Sequence, residues 1–326
     1  MPTYKKVKWA IPKGSLEDDT FSLINSTVLK IARSERSYRP YINDEEISVK
    51  ILRPQEIPKY VEQGLYDIGI TGADWVKETG ADVRILADLE YGRVRIVLAG
   101  TRELGRDPDE IIKEFGERGR KLRIATEYPN ITSNYLLSLR MYRELYGLLR
   151  PRIITPWYTL GENPMVEIYL SFGATEAKPP DEADLIVDVT ETGTTLNENG
   201  LVEIAEIMRS SAVFIANRGS LNDREKREKI LDVLALLLGA VKAKKKLHIF
   251  INVSRENLSE LLKELPSLKS PTVAPLAKEG WYAVNTVIGE EEFLKLLPKL
   301  RKYSQGLVVH RPFSTLMLEE GELAQS

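Results

Sequence analysis

The chain contains no cysteine. That single absence excludes disulfides, thiolate nucleophiles and cysteine-ligated zinc. Histidine is almost as scarce, and its two copies, His248 and His310, both lie inside apolar runs. A Ser-His triad or a histidine-built metal centre is therefore not expected, and each histidine reads as a strand residue with a hydrogen-bond partner. Charge of one sign is missing too: the formal net charge is −2, without the basic excess that nucleic-acid binding requires. No stretch approaches the ~18 consecutive apolar residues of a membrane span. Met1 to Lys6 leads towards a strand without the apolar core of a signal peptide, so the cytoplasm is the expected compartment.

What is present is ordinary globular material. The 326 residues are 43% hydrophobic and 29% charged, enough chain for two or three domains. The most informative stretch runs from Ala183 to Leu196. Leu185 to Val189 reads as a buried strand of a parallel sheet. It runs into Glu191-Thr192-Gly193-Thr194-Thr195, a turn of small hydroxylated residues around one glycine. Glycine lets the backbone approach a ligand or take a positive φ, and a helix starting at Thr194 would help the turn's N–H groups converge on an anion. A strand followed by a glycine turn is common in any α/β protein. The flanking acids, Asp188 and Glu191, favour a ligand that brings hydroxyls or a metal ion along with its phosphate, as a ribose phosphate with a magnesium pyrophosphate does.

The rest alternates. Val7 to Ile11 reads as a strand, Pro12-Lys13-Gly14 as a turn, and Ser15 as the cap of a helix with Leu16, Phe21, Ile24, Val28 and Ile31 facing inward. Lys13-Gly14 is either a second anion site or a plain strand-to-helix turn. Ile47 to Arg53, Tyr66 to Asp74, Val83 to Leu89 and Val94 to Gly100 are further strands, with a helix from Glu56 to Gln63. From Pro108 the pattern restarts: a helix from Asp109 to Glu117 and a strand at 122–126. Next comes one long helix capped at Asn130 or Thr132, with Tyr135, Leu136, Leu139, Tyr142 and Leu145 as its core stripe. A strand follows from Met165 to Phe172, and a short helical segment opens at Pro179-Pro180. Asn222 or Asp223 begins an amphipathic helix that ends in a lysine run at 242–246, where the domain boundary is placed. The last eighty residues order themselves βαββαβ, the ferredoxin-like split unit.

These landmarks, in this order, resemble ATP phosphoribosyltransferase of the long form. The resemblance rests on Ile11-Pro12-Lys13-Gly14, Leu52-Arg53 with Ile57-Pro58, Asp67 to Gly72, and Gly92 to Arg95. It continues through Ile124 to Asn130, Gly173 to Glu176, Ala183 to Leu201, Ser270-Pro271-Thr272-Val273 and Pro275-Leu276. Ser15, Glu127 and Glu191 depart from the usual pattern, standing where an arginine, a basic residue and a small residue are common.

The resemblance implies an α/β fold: two periplasmic-binding-protein-like domains forming a cleft, plus a C-terminal ferredoxin-like regulatory domain. The expected boundaries are 1–100 with 200–244, then 101–199, then 245–326. It implies condensation of ATP, through adenine N1, with 5-phosphoribosyl 1-pyrophosphate, magnesium as cofactor, and inhibition by histidine. Dimers assembling into hexamers are expected, with no nucleic-acid or membrane partner. Asp188, Glu176 and Lys13 are the candidate catalytic residues. Glu191, Thr192, Gly193, Thr194 and Thr195 form the expected sugar-phosphate loop, and Arg53, Arg95 and Tyr128 are expected on nucleotide or phosphate. Metal-binding residues are not assigned, since substrate phosphates would hold the magnesium. Two alternatives stand beside this reading: a phosphoribosyltransferase for another base, and a non-catalytic metabolite sensor.

Overall fold

The computed structural model of the chain describes residues 6–34, 37–265 and 271–315. Met1 to Lys5, read above as a start without a signal, and Ser270 of the Ser270-Pro271 landmark lie outside the described residues. The chain begins with strand β1 (Val7–Pro12), helix α1 (Glu17–Asn25) and strands β2 (Ile31–Ser34), β3 (Ser37–Ile42) and β4 (Ile47–Leu52). Then come α2 (Ile57–Glu62), β5 (Ile68–Gly72), α3 (Ala73–Thr79), β6 (Arg84–Asp88) and β7 (Val94–Thr101). The middle holds α4 (Pro108–Glu117), β8 (Leu122–Thr126), α5 (Pro129–Ser138), α6 (Arg140–Tyr146), β9 (Pro151–Ile154), β10 (Thr159–Leu160) and β11 (Asn163–Leu170). It continues with β12 (Leu185–Thr190), α7 (Thr194–Glu198), β13 (Leu201–Ser210), β14 (Ala212–Ala216), α8 (Arg218–Asn222) and α9 (Arg224–Ala243). The end is β15 (Lys246–Ser254), α10 (Arg255–Glu264), β16 (Thr272–Pro275), β17 (Trp281–Gly289), α11 (Glu290–Tyr303) and β18 (Ser304–His310).

Two compact units result, one from residues 8–19 with 50–222 and the other from the remaining described residues. The first holds a seven-stranded sheet of order β10-β9-β11-β8-β12-β7-β13 and most of a five-stranded sheet of order β4-β1-β5-β14-β6. The chain crosses between these sheets twice, at 89–93 and at Ser211. The crossings are tied together where Leu89 donates to the Ala212 carbonyl and Ala212 to that of Tyr91, both at 2.9 Å. Two α/β lobes joined this way have the periplasmic-binding-protein-like architecture.

A buried clasp on α3 also joins the lobes. Asp74, 5% exposed, accepts from Ser210 Oγ at 2.6 Å and from Tyr128 Oη at 3.0 Å. Trp75 stacks on the Tyr128 ring at 4.6 Å. Glu78 accepts from the first backbone N–H groups of α5, those of Asn130 and Ile131, at 2.9 Å each. These are groups that no turn of the helix can satisfy, and a carboxylate meets both their hydrogen-bonding and their dipole.

The second unit contains the β2–β3 hairpin, α9 and the C-terminal module. Asp223 caps α9 by accepting from Lys226 N at 3.4 Å, as expected. The module's sheet, β16-β17-β15-β18, is antiparallel throughout. Ile249, Ile251, Val253 and Val284 pack beneath it with Leu261 and Leu300. The expected βαββαβ order is therefore the observed one, and both histidines lie in its strands as anticipated.

Several expected elements differ. The single long helix after Asn130 is two helices, because Leu139 takes an extended ψ of 140° between α5 and α6. The break is stabilised locally: Asp109 on α4 accepts from Met141 N at 2.8 Å, and Arg143 Nε donates to the Leu137 carbonyl at 2.6 Å. Leu145 is 41% exposed and leaves the expected core stripe. Pro179-Pro180 forms a turn with a cis peptide bond, while a 3₁₀ turn, Thr175–Ala177, precedes it. Helix α1 starts at Glu17, beyond the expected cap Ser15, and stops at Asn25, leaving Val28 60% exposed and Ile31 in β2.

The clasp yields a pH test. Burial, the largest influence, lifts the Glu78 carboxyl from 4.5 to about 7, against the pull of its two N–H donors. A carboxyl raised on folding favours the fold most below its unfolded value, and that advantage is lost as pH climbs through about 7. Glu78→Gln cannot ionise. Its melting temperature relative to the native chain should therefore rise between pH 5 and 8, by the equivalent of at most about 3 kcal/mol. A difference that stays flat across that window contradicts the assignment.

Candidate active site

Strands β9, β11, β8 and β12 run parallel, so their carboxyl ends share one edge of the seven-stranded sheet. Ligands of open α/β sheets bind outside that edge. Four loops line up there in strand order: 155–158 after β9, 171–176 after β11, 127–128 after β8 and 191–195 after β12.

Asp188 sits near the end of β12 and accepts from Thr175 Oγ1 and from Val189 N. Because β8 lies between β11 and β12, the loop carrying Thr175 must pass over the end of β8 to reach it. Burial, helped by the nearby charge of Glu176, raises the Asp188 carboxyl above its ordinary range, while the two donors pull it down. Burial and then Asp188 likewise raise Glu127. Asp188 thus feels the charge of Glu176, and Glu127 that of Asp188, at this edge.

The loop beyond Asp188 is built to hold its shape. Gly193, at φ +80°, precedes α7 in the left-handed conformation that favours glycine. Its N–H is held by Thr190 Oγ1 at 2.8 Å, and the hydroxyls of Thr192 and Thr194 lie 2.8 Å apart. Leu196, 5% exposed, roots the loop in a cluster with Val97, Ala125 and Ile186. Glu191, Thr192, Thr194 and Thr195 are exposed above that root.

The expected cations are placed differently. Across β12, β7 and β13 the register sets Thr190 opposite Arg95 and Arg95 opposite Arg209. Arg95 donates to Glu203 at 2.6 Å and lies 3.4 Å from Glu206, which also binds Arg209 at 2.8 Å. Arg95 and Arg209 line a cavity of about 390 Å³ with Asp88, Arg93, Glu191 and Ser210. Lys13 and Arg53 follow neighbouring strands of the five-stranded sheet, where Lys13 N donates to the Leu52 carbonyl at 2.7 Å. Tyr128 is 4% exposed, with its hydroxyl committed to Asp74. Glu176 is half-buried in the 3₁₀ turn beside Asp188.

Sequence reasoning missed Thr175, Asp74, Glu78, Glu203 and Glu206. Thr175 lay inside the Gly173-Ala174-Thr175-Glu176 landmark, where the acid drew attention and the buried hydroxyl did not. The other four act through partners distant in the chain. Among the described residues no three His, Cys, Asp or Glu side chains converge as a metal cage. Magnesium ordinarily takes one or two carboxylates and completes its shell with phosphate oxygens and water. Asp188 and Glu176 fit that demand.

The fold and this edge define a bilobal α/β protein with a hydroxyl-lined loop beside a group of acids. The family model described as ATP phosphoribosyltransferase matches residues 53–237, and that of the HisG C-terminal domain matches 243–310. The ATP phosphoribosyltransferase of Thermodesulfovibrio yellowstonii is 37% identical over 318 residues, 96% of this chain and 99% of the relative. That of Pelodictyon phaeoclathratiforme is 38% identical over 301 residues, 91% and 92% of the two chains. Among solved structures, a chain of the ATP phosphoribosyl transferase (HisG:HisZ) complex from Thermotoga maritima is 29% identical. It superposes with a TM-score of 0.55 over 72% of this chain and 98% of that one. The chain belongs to the ATP phosphoribosyltransferase family, in the long form with a C-terminal domain. It is thus a pentosyltransferase of the first step of histidine biosynthesis.

Thr175 offers a direct test of the acid group. Thr175→Val removes a donor that lowers the Asp188 carboxyl, so the acidic limb of the kcat/KM profile should move to higher pH. An unmoved limb would separate Asp188 from the titration that governs turnover.

Proposed function

We propose that the β12 edge performs the transfer, with the loop from Glu191 to Thr195 holding the 5-phosphate of phosphoribosyl pyrophosphate and Asp188 gripping the ribose hydroxyls. The observation carrying this is the pairing of Thr175 with Asp188 directly before a loop whose glycine N–H is locked by Thr190. A sugar phosphate presents an anion at one end and hydroxyls along one side, and here an acceptor carboxylate on the strand precedes a loop of hydroxyl donors.

In the reaction, the adenine N1 lone pair forms a bond to C1 as the C1–O bond breaks, and pyrophosphate leaves with that electron pair. The sugar passes through an oxocarbenium-like state, so no protein nucleophile is required. This chemistry suits a chain without cysteine. What the residues supply is position and charge. Asp188 and Glu176 face the electron-poor sugar as carboxylates, and Lys13, Arg53 and Arg95 serve the phosphates of the two substrates. Tyr128 acts beneath the pocket, keeping the Asp74 clasp in register with the end of β8. Asp188 or Glu176 would hold magnesium together with the substrate phosphates, and the ion would neutralise charge on the leaving group.

The proposed functional division is 1–100 with 200–244, then 101–199 around the phosphoribosyl loop, then 245–326 as the regulatory module. The module would bind histidine as feedback inhibitor, in a homo-oligomer of dimers reaching a hexamer. The proposed setting is the cytoplasm, since no described helix is long and apolar enough to cross a membrane and the pathway's substrates are water-soluble metabolites.

Pyrophosphate release should require ATP, phosphoribosyl pyrophosphate and magnesium together. Asp188→Asn should lower kcat/KM by about 100- to 1,000-fold while the melting temperature stays within a few degrees. A near-native rate in that variant removes Asp188 from the chemistry. Histidine should inhibit the full chain, and deletion of 247–326 should abolish that inhibition. Inhibition that survives in an active truncated chain places the histidine site elsewhere.

A further inference from the structure

Two large aromatic side chains stand exposed on the edge that carries the acid group. Trp157 is 72% exposed and Phe172 is 71% exposed, and their ring centroids lie 6.0 Å apart at an interplanar angle of 70°. Of the chain's four tryptophans, Trp9 is buried, Trp75 and Trp281 are partly buried, and Trp157 is exposed. The turn that presents it is organised around one hydroxyl. Thr155 Oγ1 accepts from Trp157 N at 3.2 Å and from Tyr158 N at 3.0 Å, and donates to the Tyr158 carbonyl at 3.0 Å. Tyr158 and Leu160, 53% and 59% exposed, continue the apolar surface along β10.

Position separates this patch from a random surface aromatic. Phe172 precedes Thr175 by three residues, so at most roughly 11 Å of chain separates it from the residue that holds Asp188. Strand order points the same way. The phosphate loop follows β12, the acids lie at the ends of β12, β8 and β11, and the aromatic pair follows β11 and β9. With neighbouring strands about 4.8 Å apart, the pair stands two to three strand spacings, roughly 10–14 Å, from the loop. A ligand gripped at the loop by its phosphate and at Asp188 by its hydroxyls therefore has its reacting carbon directed towards the aromatic end.

We infer that Trp157 and Phe172 form the platform on which the purine base of the acceptor stacks, and so determine that the acceptor is a base with an extended π-face. This rests on the proposed placement of the sugar phosphate on the β12 loop. Stacking on exposed aromatic side chains is a general way to hold a base, because every base has a π-face and an aromatic ring loses little conformational freedom on binding. The edge-to-face arrangement of the two rings leaves a flat face available for the purine and an edge to guide it.

The test uses the full-length chain and begins with native pyrophosphate release from ATP and phosphoribosyl pyrophosphate. Failure at that step removes the reading of the site itself, before any variant is made. With activity present, Trp157→Ala should raise KM for ATP about tenfold or more, leaving KM for phosphoribosyl pyrophosphate within twofold. Trp157→Phe should restore most of the loss, and Phe172→Ala should show the same split. Binding of inorganic tripolyphosphate, which has the charge of the acceptor's tail and no base, should not change in Trp157→Ala. The platform is overturned if KM for ATP is unaltered in both alanine variants, or if ATP and tripolyphosphate weaken equally. It is also overturned if the variants change the sedimentation-derived oligomeric state, which would make the patch a contact between copies.

Discussion

The carboxylate of Glu78 on the first N–H groups of α5 is the contact on which the site's geometry most depends. It lies among a set of contacts that bind one lobe to the other through side chains as well as through the two chain crossings. Asp74 completes the set by accepting from Ser210 and Tyr128. Residues on β13 and at the end of β8 are thereby fixed to one helix of the five-stranded-sheet lobe. A two-lobed fold with only backbone crossings would leave the angle between the sheets to the crossings alone. Here buried polar contacts set it, and each must be satisfied, because a buried acid without donors costs several times what a satisfied one does. Tyr128 is informative in this respect: an aromatic beside a nucleotide motif invites a ligand-stacking role, and here the side chain is 4% exposed with its hydroxyl on Asp74.

The same economy of donors shapes the β12 edge. Asp188 receives one hydroxyl and one backbone N–H and remains above its ordinary range, since burial and a neighbouring acid outweigh them. Such a carboxylate still has lone pairs to offer. A group of this kind favours hydroxyl donors over a bare phosphate, whose charge the acids would repel. The discrimination lies in the juxtaposition of hydroxyl donors on the loop with acceptors on the strand, not in either alone.

Much of this was legible from residue order. Leu185, Ile186 and Val187 are apolar because the first half of β12 is buried between β8 and β7, and a buried central strand leaves that signature in its own residues, while Val189 beyond Asp188 is 40% exposed. Gly193 betrayed the turn because a positive φ restricts the residue type. The βαββαβ tail could be read because each of its elements alternates on its own. The break at Leu139 could not: the stripe through Tyr142 continues with helical spacing, and the second helix is capped by Asp109, which lies 32 residues before Met141 and accepts from its N–H. Arg95 is a similar case. Its role depends on Glu203, 108 residues on, and a local reading finds only a cation after a glycine. Features encoded by a residue's own conformational demands survive in one sequence, whereas those set by a distant partner do not.

Arg95 also shows why an arginine at this edge is not a ready-made anion receptor. Its guanidinium is engaged by Glu203 and approached by Glu206, which in turn binds Arg209, so two cations and two acids form a nearly neutral network. A phosphate that arrives there gains only the difference between its own attraction and that of the acids it displaces. For partly exposed groups such a difference is small, because solvent screens both sides of the exchange. The network's larger contribution is orientational. It holds Arg95 extended along β7, opposite Thr190, before any ligand arrives, and so removes the entropy loss that ordering a free arginine would impose on binding. On the proposed reading, strength at this edge comes from the loop and from Asp188, with the arginines fixing direction.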